Sequence, residues 1–226
     1  MGRSKRYKKD SENATEEVFG ISEGVKKVKT YATTKFDQTV ELVMHLGIDP
    51  KYADQMIRGA IALPNGIGKS RKVIAFCEDS DVEAALAAGA IEAGSDELVK
   101  KVTDGWMDFD VAIASPRLMG KVGKLGRVLG PQGKMPSPKN GTVTADVVNA
   151  VGEFAAGKVE FRNDSGGNIH AIVGKLSFDD AKLKENIDTF LDHIKHARPS
   201  SIKGVYIKKV AISATMSPSV LLNVVG

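Results

Sequence analysis

The spacing of apolar residues changes along the chain, and each spacing predicts a different element. Apolar residues alternate with polar ones over residues 36–46, which predicts a strand whose buried face begins at Phe36. They recur at helical spacing over residues 179–196, which predicts an amphipathic helix. Val73–Phe76 and Val111–Ala114 are continuous apolar runs, which are typical of strands buried on both faces. The chain therefore mixes helices with strands.

The order of these elements divides the chain in two. Strands alternate with helices between residue 73 and about residue 156, which predicts a parallel sheet covered by helices on both faces. The flanking segments predict two hairpin-like strand pairs and a last strand, at residues 36–46 with 56–63, 159–163 with 169–176, and 205–215. These segments indicate an α+β layer that both ends of the chain complete.

Residues 63–69 separate the two patterns and read Leu-Pro-Asn-Gly-Ile-Gly-Lys. Glycine tolerates positive φ and proline lacks a backbone donor, so neither a strand nor a helix is expected to continue through them. We interpret this segment as a hinge at which the chain leaves one domain, builds a second and returns. The outer domain is placed at residues 1–67 and 158–226, and the inserted domain at residues 68–157.

The same segment allows a second interpretation. Gly68, Lys69 and Ser70 match the end of a phosphate-binding loop, Gly-x-x-x-x-Gly-Lys-Ser/Thr. That motif requires a glycine where Leu63 stands, and it requires a helix where a strand is predicted directly afterwards. We therefore favour the hinge and retain a nucleotide-binding enzyme as an alternative.

Charge is distributed unevenly, although the net charge is only +4. Residues 78–110 hold ten acidic residues and two lysines, whereas residues 117–139 hold six basic residues and no acid. Glycines interrupt the basic stretch, and exposed backbone N–H groups beside cations favour a polyanionic partner. The auxiliary phosphate contacts predicted on this basis are Lys121, Lys124, Arg127, Lys134 and Lys139.

The N-terminal segment, residues 1–20, is polar and holds five basic residues. We expect it to be mobile or to become ordered on a partner, either touching phosphate or remaining solvated. No apolar segment follows it as in a secretory signal, and no apolar run reaches the roughly 18 residues of a membrane helix. The single cysteine, Cys77, excludes an internal disulfide and fits a reducing cytoplasm. We expect a cytoplasmic protein without a membrane partner.

The sequence contains no recognisable catalytic or metal-binding arrangement. His193 and His196 lie three positions apart on the predicted helix, but no Cys pair or glutamate-bearing zinc motif accompanies them. Glu160 and Asp164 are not spaced as an evident acid–base pair. We predict that the protein is not an enzyme and that it uses no cofactor and no metal.

Blocks of residues occur in an order typical of one known family, at residues 35–41, 46–50, 57–59, 63–69, 130–136, 158–164 and 215–219. Over nearly all 226 residues the chain resembles the ribosomal protein L1 family. The resemblance implies a two-domain α/β fold, in which a Rossmann-like parallel α/β domain is inserted into a discontinuous α+β sandwich domain. It also implies a large-subunit constituent that binds large-subunit rRNA to form the mobile side stalk, assists release of E-site tRNA and represses translation of its own operon mRNA. The free protein would be a monomer.

Carried onto this sequence, the resemblance implies an RNA-binding surface drawn from three segments. Its residues are Lys35, Phe36, Thr39 and Glu41; Arg162, Asp164 and His170; and Thr215, Met216, Ser217 and Ser219. The family usually has glycine where Ser217 stands, and lysine or arginine where Gln132 stands. A protein-only adaptor, with no preference for a particular RNA, is a further alternative.

The implied roles of these residues differ. The cations Lys35 and Arg162 would contact phosphates. Phe36 and Met216 would pack on sugar or base surfaces, and the hydroxyl groups of the two threonines would bind 2′-OH groups. The two acids would orient neighbouring donors or bind a base or sugar hydroxyl.

Overall fold

The computed structural model describes residues 4–14, 17–31 and 34–224. The chain forms two compact units. The outer unit contains the residues up to Gly68 and those from Val159 onward, and the inserted unit contains Lys69–Lys158. Both units combine helices with strands, so the predicted α/β class is confirmed.

The strands of the described residues are β1 (Val18–Phe19), β2 (Thr39–Leu46), β3 (Arg58–Ile61), β4 (Val73–Phe76), β5 (Ala90–Gly94), β6 (Val111–Ala114), β7 (Val159–Arg162), β8 (Asn168–Lys175), β9 (Ile207–Ala214) and β10 (Val220–Leu222). The α-helices are α1 (Lys5–Glu12), α2 (Ile21–Lys29), α3 (Val82–Ala87), α4 (Asp96–Thr103), α5 (Met119–Val122), α6 (Gly126–Leu129), α7 (Val147–Ala155) and α8 (Asp180–His196). Short 3₁₀ turns lie at Pro116–Leu118, Gly123–Leu125 and Pro138–Asn140.

A five-stranded sheet in the order β1-β10-β9-β2-β8 forms the centre of the outer unit. β2 is antiparallel to both of its neighbours, and β1 runs parallel to β10. The alternation predicted for β2 is confirmed, because Val40, Leu42, Met44 and Leu46 are all buried. They share one core with apolar residues of α2 and α8, which leaves the other face of the sheet toward solvent. Strands from both ends of the chain thus lie in one sheet.

The first predicted hairpin is wrong, and the second is formed only at its turn. β3 pairs with β7 in a separate two-stranded sheet, while β2 and β8 belong to the five-stranded sheet. A single bridge between Asn163 and Ile169 is what joins the ends of β7 and β8. The Asn163 side chain accepts a 2.8 Å hydrogen bond from the backbone N–H of Ile57, which ties β7 to the segment before β3. Most of these strands therefore pair with strands that are distant in the sequence, and not with the next strand along the chain.

The expectation of a mobile N-terminal segment is also wrong where the structure describes it; residues 1–3 and 15–16 lie outside the described residues. Residues 5–12 form α1, which begins where the hydroxyl of Ser4 accepts a hydrogen bond from the backbone N–H of Tyr7. The Arg6 guanidinium pairs with the buried carboxylate of Asp10 at 3.0 Å. Contacts within the chain therefore order this helix.

The alternation predicted that Phe36 begins the buried face of β2, and this prediction is wrong. The strand begins only at Thr39, and the Phe36 side chain is 49% exposed. Asp37 explains the difference, because its carboxylate accepts hydrogen bonds from the N–H and hydroxyl groups of Ser177 at 3.2 and 2.8 Å. These bonds fix the chain in a bend before the strand starts.

The inserted unit contains a parallel three-stranded sheet in the order β5-β4-β6. β4 and β6 are buried at every position, as their continuous apolar runs predict. α7 packs against all three strands, and α3 and α4 pack against β5. The basic stretch that follows β6 is largely helical, and it buries Val122, Leu125 and Leu129 in one core with Phe76.

Two glycines of the segment at residues 63–69 have positive φ: Gly66 at 60° and Gly68 at 72°. A Cβ atom at Gly68 would lie 2.8 Å from the Cγ of Lys175 and 2.9 Å from the Cε1 of Phe178. β4 follows with no helix between, so the context that a phosphate-binding loop requires is missing. Within the described residues, no helix combines the length and apolar character needed to cross a membrane.

Candidate nucleic-acid interface

Thr39 and Thr215 meet where β2 begins and β9 ends. The N–H of Thr39 donates to the Thr215 hydroxyl at 3.1 Å, and the N–H of Thr215 donates to the Thr39 carbonyl at 3.0 Å. The Thr215 hydroxyl also donates to that carbonyl at 3.3 Å, so its hydrogen is already engaged within the protein. Two of the three predicted segments therefore form one surface.

Lys175 is a member of this surface that the sequence did not indicate. It lies opposite Thr39 in the pairing of β2 with β8, and its Nζ donates to the Thr39 hydroxyl at 2.8 Å. The Thr39 hydroxyl therefore keeps its own hydrogen available for an outside acceptor. A contact across two strands carries no signal in the local sequence, which is why Lys175 was missed.

The turn after β9 presents Met216. This residue has φ 63°, and its side chain is 65% exposed. The Nη2 of Arg6 donates to its carbonyl at 2.6 Å. Ser217 closes the turn, because its hydroxyl accepts from the Ala214 N–H and donates to the Ala214 carbonyl, both at 2.9 Å. Ser217 thus stabilises the turn through its hydroxyl group, and Ser219 lies exposed beyond it.

Phe36 and Lys35 extend this surface on the other side of Thr39. Both are exposed, and Phe36 lines a groove of about 490 Å³ whose other walls come from Lys29, Thr34, Asp37, Gln38, Leu176 and Ser177. The apolar side chains of Phe36 and Leu176 line this groove together with Lys29, and Lys35 directly precedes Phe36 in the chain. Such a groove can receive a sugar or base edge while an adjacent ammonium group contacts phosphate.

Glu41 and His170 lie on the solvent-facing side of the five-stranded sheet. Glu41 is opposite Ile172, and His170 is opposite Val43, which places both exposed side chains on one face. Lys209, opposite His45, adds a cation to the same face that the sequence had not singled out.

Asp164 organises the turn between β7 and β8. Its carboxylate accepts from the backbone N–H groups of Gly166 and Asn168 at 2.8 and 2.7 Å and from the Asn168 side chain at 3.0 Å. The bond from the Asn168 side chain, and then that from its backbone, lower the pKa of the Asp164 carboxyl. His170 approaches the same carboxylate at 3.9 Å. The predicted role of Asp164 as an orienting acid fits this geometry.

The predicted residues form a strip and not a single patch. Thr39 begins β2, whereas His45, near its other end, contacts Asn168 of the Asp164 turn at 2.8 Å. Six residues of strand span about 20 Å. Arg162 lies in the second sheet, where it is paired with Arg58 in the register of β3 and β7. A folded nucleic acid is long enough to contact both ends of such a strip.

The five auxiliary cations of the inserted unit differ in their surroundings. Lys121 pairs with Asp96 at 2.8 Å, and this hydrogen bond lowers the pKa of the Asp96 carboxyl. Lys134 donates to the Met107 carbonyl at 3.1 Å and lies 4.9 Å from the centre of the Phe109 ring. The other three, Lys124, Arg127 and Lys139, are exposed.

The two histidines of α8 both contact other groups of the protein. The ring of His193 packs edge-on against Phe161 at 5.5 Å, and burial and then the nearby His196 lower its pKa. The Nδ1 of His196 lies 2.7 Å from the Asp192 carbonyl. Across the described ranges, no three His, Cys, Asp or Glu side chains are grouped so that they could hold a metal ion.

Comparison with known proteins points to one family. The model of the ribosomal protein L1p/L10e family matches residues 28–218. The large ribosomal subunit protein uL1 of Rhodopirellula baltica is 58% identical over 221 residues, which are 97% of this chain and 98% of that protein. Proteins of the same name from Streptomyces avermitilis and Nocardioides sp. are 52% and 48% identical, over 95% and 99% of this chain and 89% and 93% of their own lengths. The chain therefore belongs to the ribosomal protein L1p/L10e family, whose members are ribosomal proteins and not enzymes.

Proposed function

We propose that this chain is a constituent of the large ribosomal subunit that binds large-subunit rRNA and thereby forms the mobile side stalk. The hydrogen-bonded pair of Thr39 and Thr215 carries the proposal, because it joins two segments that the family resemblance assigns to RNA binding. Around this pair lie an exposed phenylalanine, an exposed methionine and two lysines, Lys35 and Lys175. Cations beside exposed apolar groups suit a folded RNA, which offers phosphates and accessible bases.

Each residue has a distinct part in the proposed contact. Lys35 and Arg162 neutralise phosphates, so the affinity for RNA should fall as salt concentration rises. Phe36 and Met216 pack on sugar or base surfaces. The Thr39 hydroxyl donates to a 2′-OH, while the Thr215 hydroxyl has only acceptor capacity left.

The two compact units support the proposal that the two domains have different functions. In this proposal, residues 1–67 and 158–226 form the discontinuous sandwich domain that holds rRNA, and residues 68–157 form the Rossmann-like inserted domain. The positive φ of Gly66 and Gly68 supports the proposal that one of the two crossings acts as a hinge, because both positions require glycine's conformational freedom. X-ray scattering of the free protein and of its RNA complex checks this, and one rigid shape unchanged by RNA contradicts it.

The family resemblance also supports contacts with E-site tRNA and with the protein's own operon mRNA. We assign tRNA contact to the exposed cations Lys124, Arg127 and Lys139 of the inserted unit. Arg127→Ala should weaken binding of deacylated tRNA and leave rRNA binding unchanged. Lys100→Ala, which removes an exposed cation from α4, should change neither.

The operon mRNA should compete with rRNA for the outer unit. Sedimentation of the free protein should show a monomer.

Titration of a fluorescently labelled side-stalk rRNA fragment tests the central proposal. Phe36→Ala should weaken binding about tenfold, because loss of one base–aromatic stacking contact costs about 1–3 kcal/mol. Met216→Ala should also weaken binding, because it removes an exposed apolar side chain from the same surface. Met56→Ala serves as the matched control, since Met56 is also exposed but precedes β3. Equal and weak binding of the stalk fragment and of a random RNA of the same length would contradict the proposal and favour a protein-only adaptor.

A further inference from the structure

β5 forms one edge of the inserted unit's sheet. Its inner side pairs with β4, and in the part of the chain that the structure describes no strand pairs with its outer side. The Gly94 carbonyl accepts a 3.2 Å hydrogen bond from the N–H of Cys77, so the backbone groups of Gly94 face inward. Successive residues of a strand point their backbone groups in opposite directions. The N–H and C=O groups of Ala93 therefore face outward and can accept a further strand.

A groove follows this edge. Its volume is about 920 Å³, and its walls come from α3, β5 and α4. Leu86 of α3 and Ile91 of β5 line it, and each side chain is 44% exposed. Strand addition uses two kinds of contact, backbone hydrogen bonds and burial of side chains. The free edge of β5 supplies the first, and the half-exposed side chains of Leu86 and Ile91 supply the second.

Acidic groups surround the groove. Five carboxylates line it, those of Asp79, Glu83, Glu92, Asp96 and Glu97, together with the ammonium group of Lys101. Lys101 pairs with Glu92, and Asp96 pairs with Lys121 outside the groove. Asp79, Glu83 and Glu97 are exposed, and within the described residues the structure shows no ion pair for any of the three. This field repels nucleic acid and attracts a cationic chain.

We propose that this groove is a docking site for a basic, extended segment of another protein, which adds to β5 as a further strand. Alternate side chains of the segment pack on Leu86 and Ile91, and its Lys or Arg side chains meet Asp79, Glu83 and Glu97. A second copy of this chain is not the occupant, because pairing β5 with β5 would bring the two acidic rims together. The groove shares no residue with the proposed rRNA-binding surface of the outer unit, and the proposal does not depend on that surface.

Binding of a designed peptide to the full chain tests the proposal. The probe is fluorescein-labelled Lys-Val-Lys-Val-Arg-Val-Lys, which alternates cationic and β-branched residues. Controls are a peptide with glutamate at each cationic position and one with proline at the central valine, which removes a backbone donor. Glu83→Gln and Glu97→Gln should each weaken binding about threefold, as expected for one exposed ion pair. Asp104→Asn removes an exposed carboxylate of the same unit outside the groove and should leave affinity unchanged.

Amide hydrogen exchange supplies the second readout. Peptide binding should slow exchange at Ala93 and leave that of the buried Ala75 in β4 unchanged, because only the outer edge of β5 gains a partner. Equal binding of the glutamate or proline peptide would overturn the proposal, as would an equal loss of affinity in Asp104→Asn. A dimer of the protein that disappears in Ile91→Lys would instead identify a second copy as the occupant. Stalk-RNA binding should be the same in all these groove variants, so failure here leaves the proposed RNA function intact.

Discussion

The guanidinium of Arg6 donates a 2.6 Å hydrogen bond to the carbonyl of Met216, 210 positions later in the chain. The carboxylate of Asp10, one turn further along α1, contacts the same guanidinium at 3.0 Å. Met216 is the one non-glycine residue with positive φ in the part of the chain that the structure describes. The first helix therefore braces the turn that presents Met216 to solvent.

Arg6→Gln should weaken binding of the stalk RNA about fivefold. A hydrogen bond from a charged donor contributes about 1.5–3 kcal/mol, and partial exposure reduces that value. Lys9→Gln is the control, because it removes the same charge from an exposed position of α1. RNA titrations of both variants and of Arg6→Gln combined with Met216→Ala check the prediction. If Arg6 acts through the turn, the combined variant loses little beyond Met216→Ala; full additivity would show that Arg6 contributes independently.

Met216→Gly should raise stability while lowering RNA affinity. The left-handed conformation costs a residue with a side chain about 1–2 kcal/mol, and glycine avoids this cost but adds freedom to the unfolded chain. A net gain of up to about 1 kcal/mol in the free energy of unfolding is expected. Urea denaturation measures it, with Met216→Ala as the variant that removes the thioether side chain without relieving the strain. A Met216→Gly protein no more stable than Met216→Ala would show that the turn is not strained.

Gly68→Ala should destabilise the outer unit by about 2–3 kcal/mol, because strain and a steric clash add. The new methyl group would lie within 3 Å of both Lys175 and Phe178. Gly133→Ala is the matched control, because Gly133 has φ 70° but nothing within 4 Å of the added atom. It should cost only about 1 kcal/mol. Equal losses in urea denaturation would mean that contact with Phe178 has no part in the effect.

Local pattern predicted the elements better than it predicted their partners. The alternation over β2 and the apolar spacing of α8 were confirmed, because the periodicity of apolar residues determines which face is buried. The predicted partner of β3 was wrong, since β3 pairs with β7 across about a hundred intervening residues. β10 was missed because three residues give too short a pattern. Family membership confirmed the resemblance and the ribosomal assignment.

The residues that sequence reasoning missed depend on contacts that are distant in the chain. Lys175 joins the candidate surface through Thr39, and α1 is ordered in part through Met216. Asn186 is similar: this fully buried side chain on the apolar face of α8 donates to the carbonyls of Gly66 and Val173 at 3.0 and 2.8 Å. A polar residue in an apolar stripe was the one available signal for it, and only the fold identifies its partners.

The turn held by Asp164 should lose stability in acid. Hydrogen bonds from Asn168 lower the pKa of this carboxyl below its ordinary value of 3.8 in the folded state. A depressed pKa means that the unfolded chain binds its proton first as the pH falls. The contribution of Asp164 is therefore fully present above pH 3.8 and is lost as the pH falls through the lower folded-state pKa.

Comparison with Asp164→Asn isolates this contribution. Asparagine keeps a carbonyl oxygen for the turn but does not titrate, so the stability difference between the parent protein and the variant should shrink as the pH falls below 3.8 toward the lower folded-state pKa. Urea denaturation at each pH measures the difference. Asp104→Asn, which removes an exposed carboxylate of the inserted unit, is the control and should show no such trend. A difference that stays constant over this range would mean that Asp164 stabilises the turn by its shape and not by its charge.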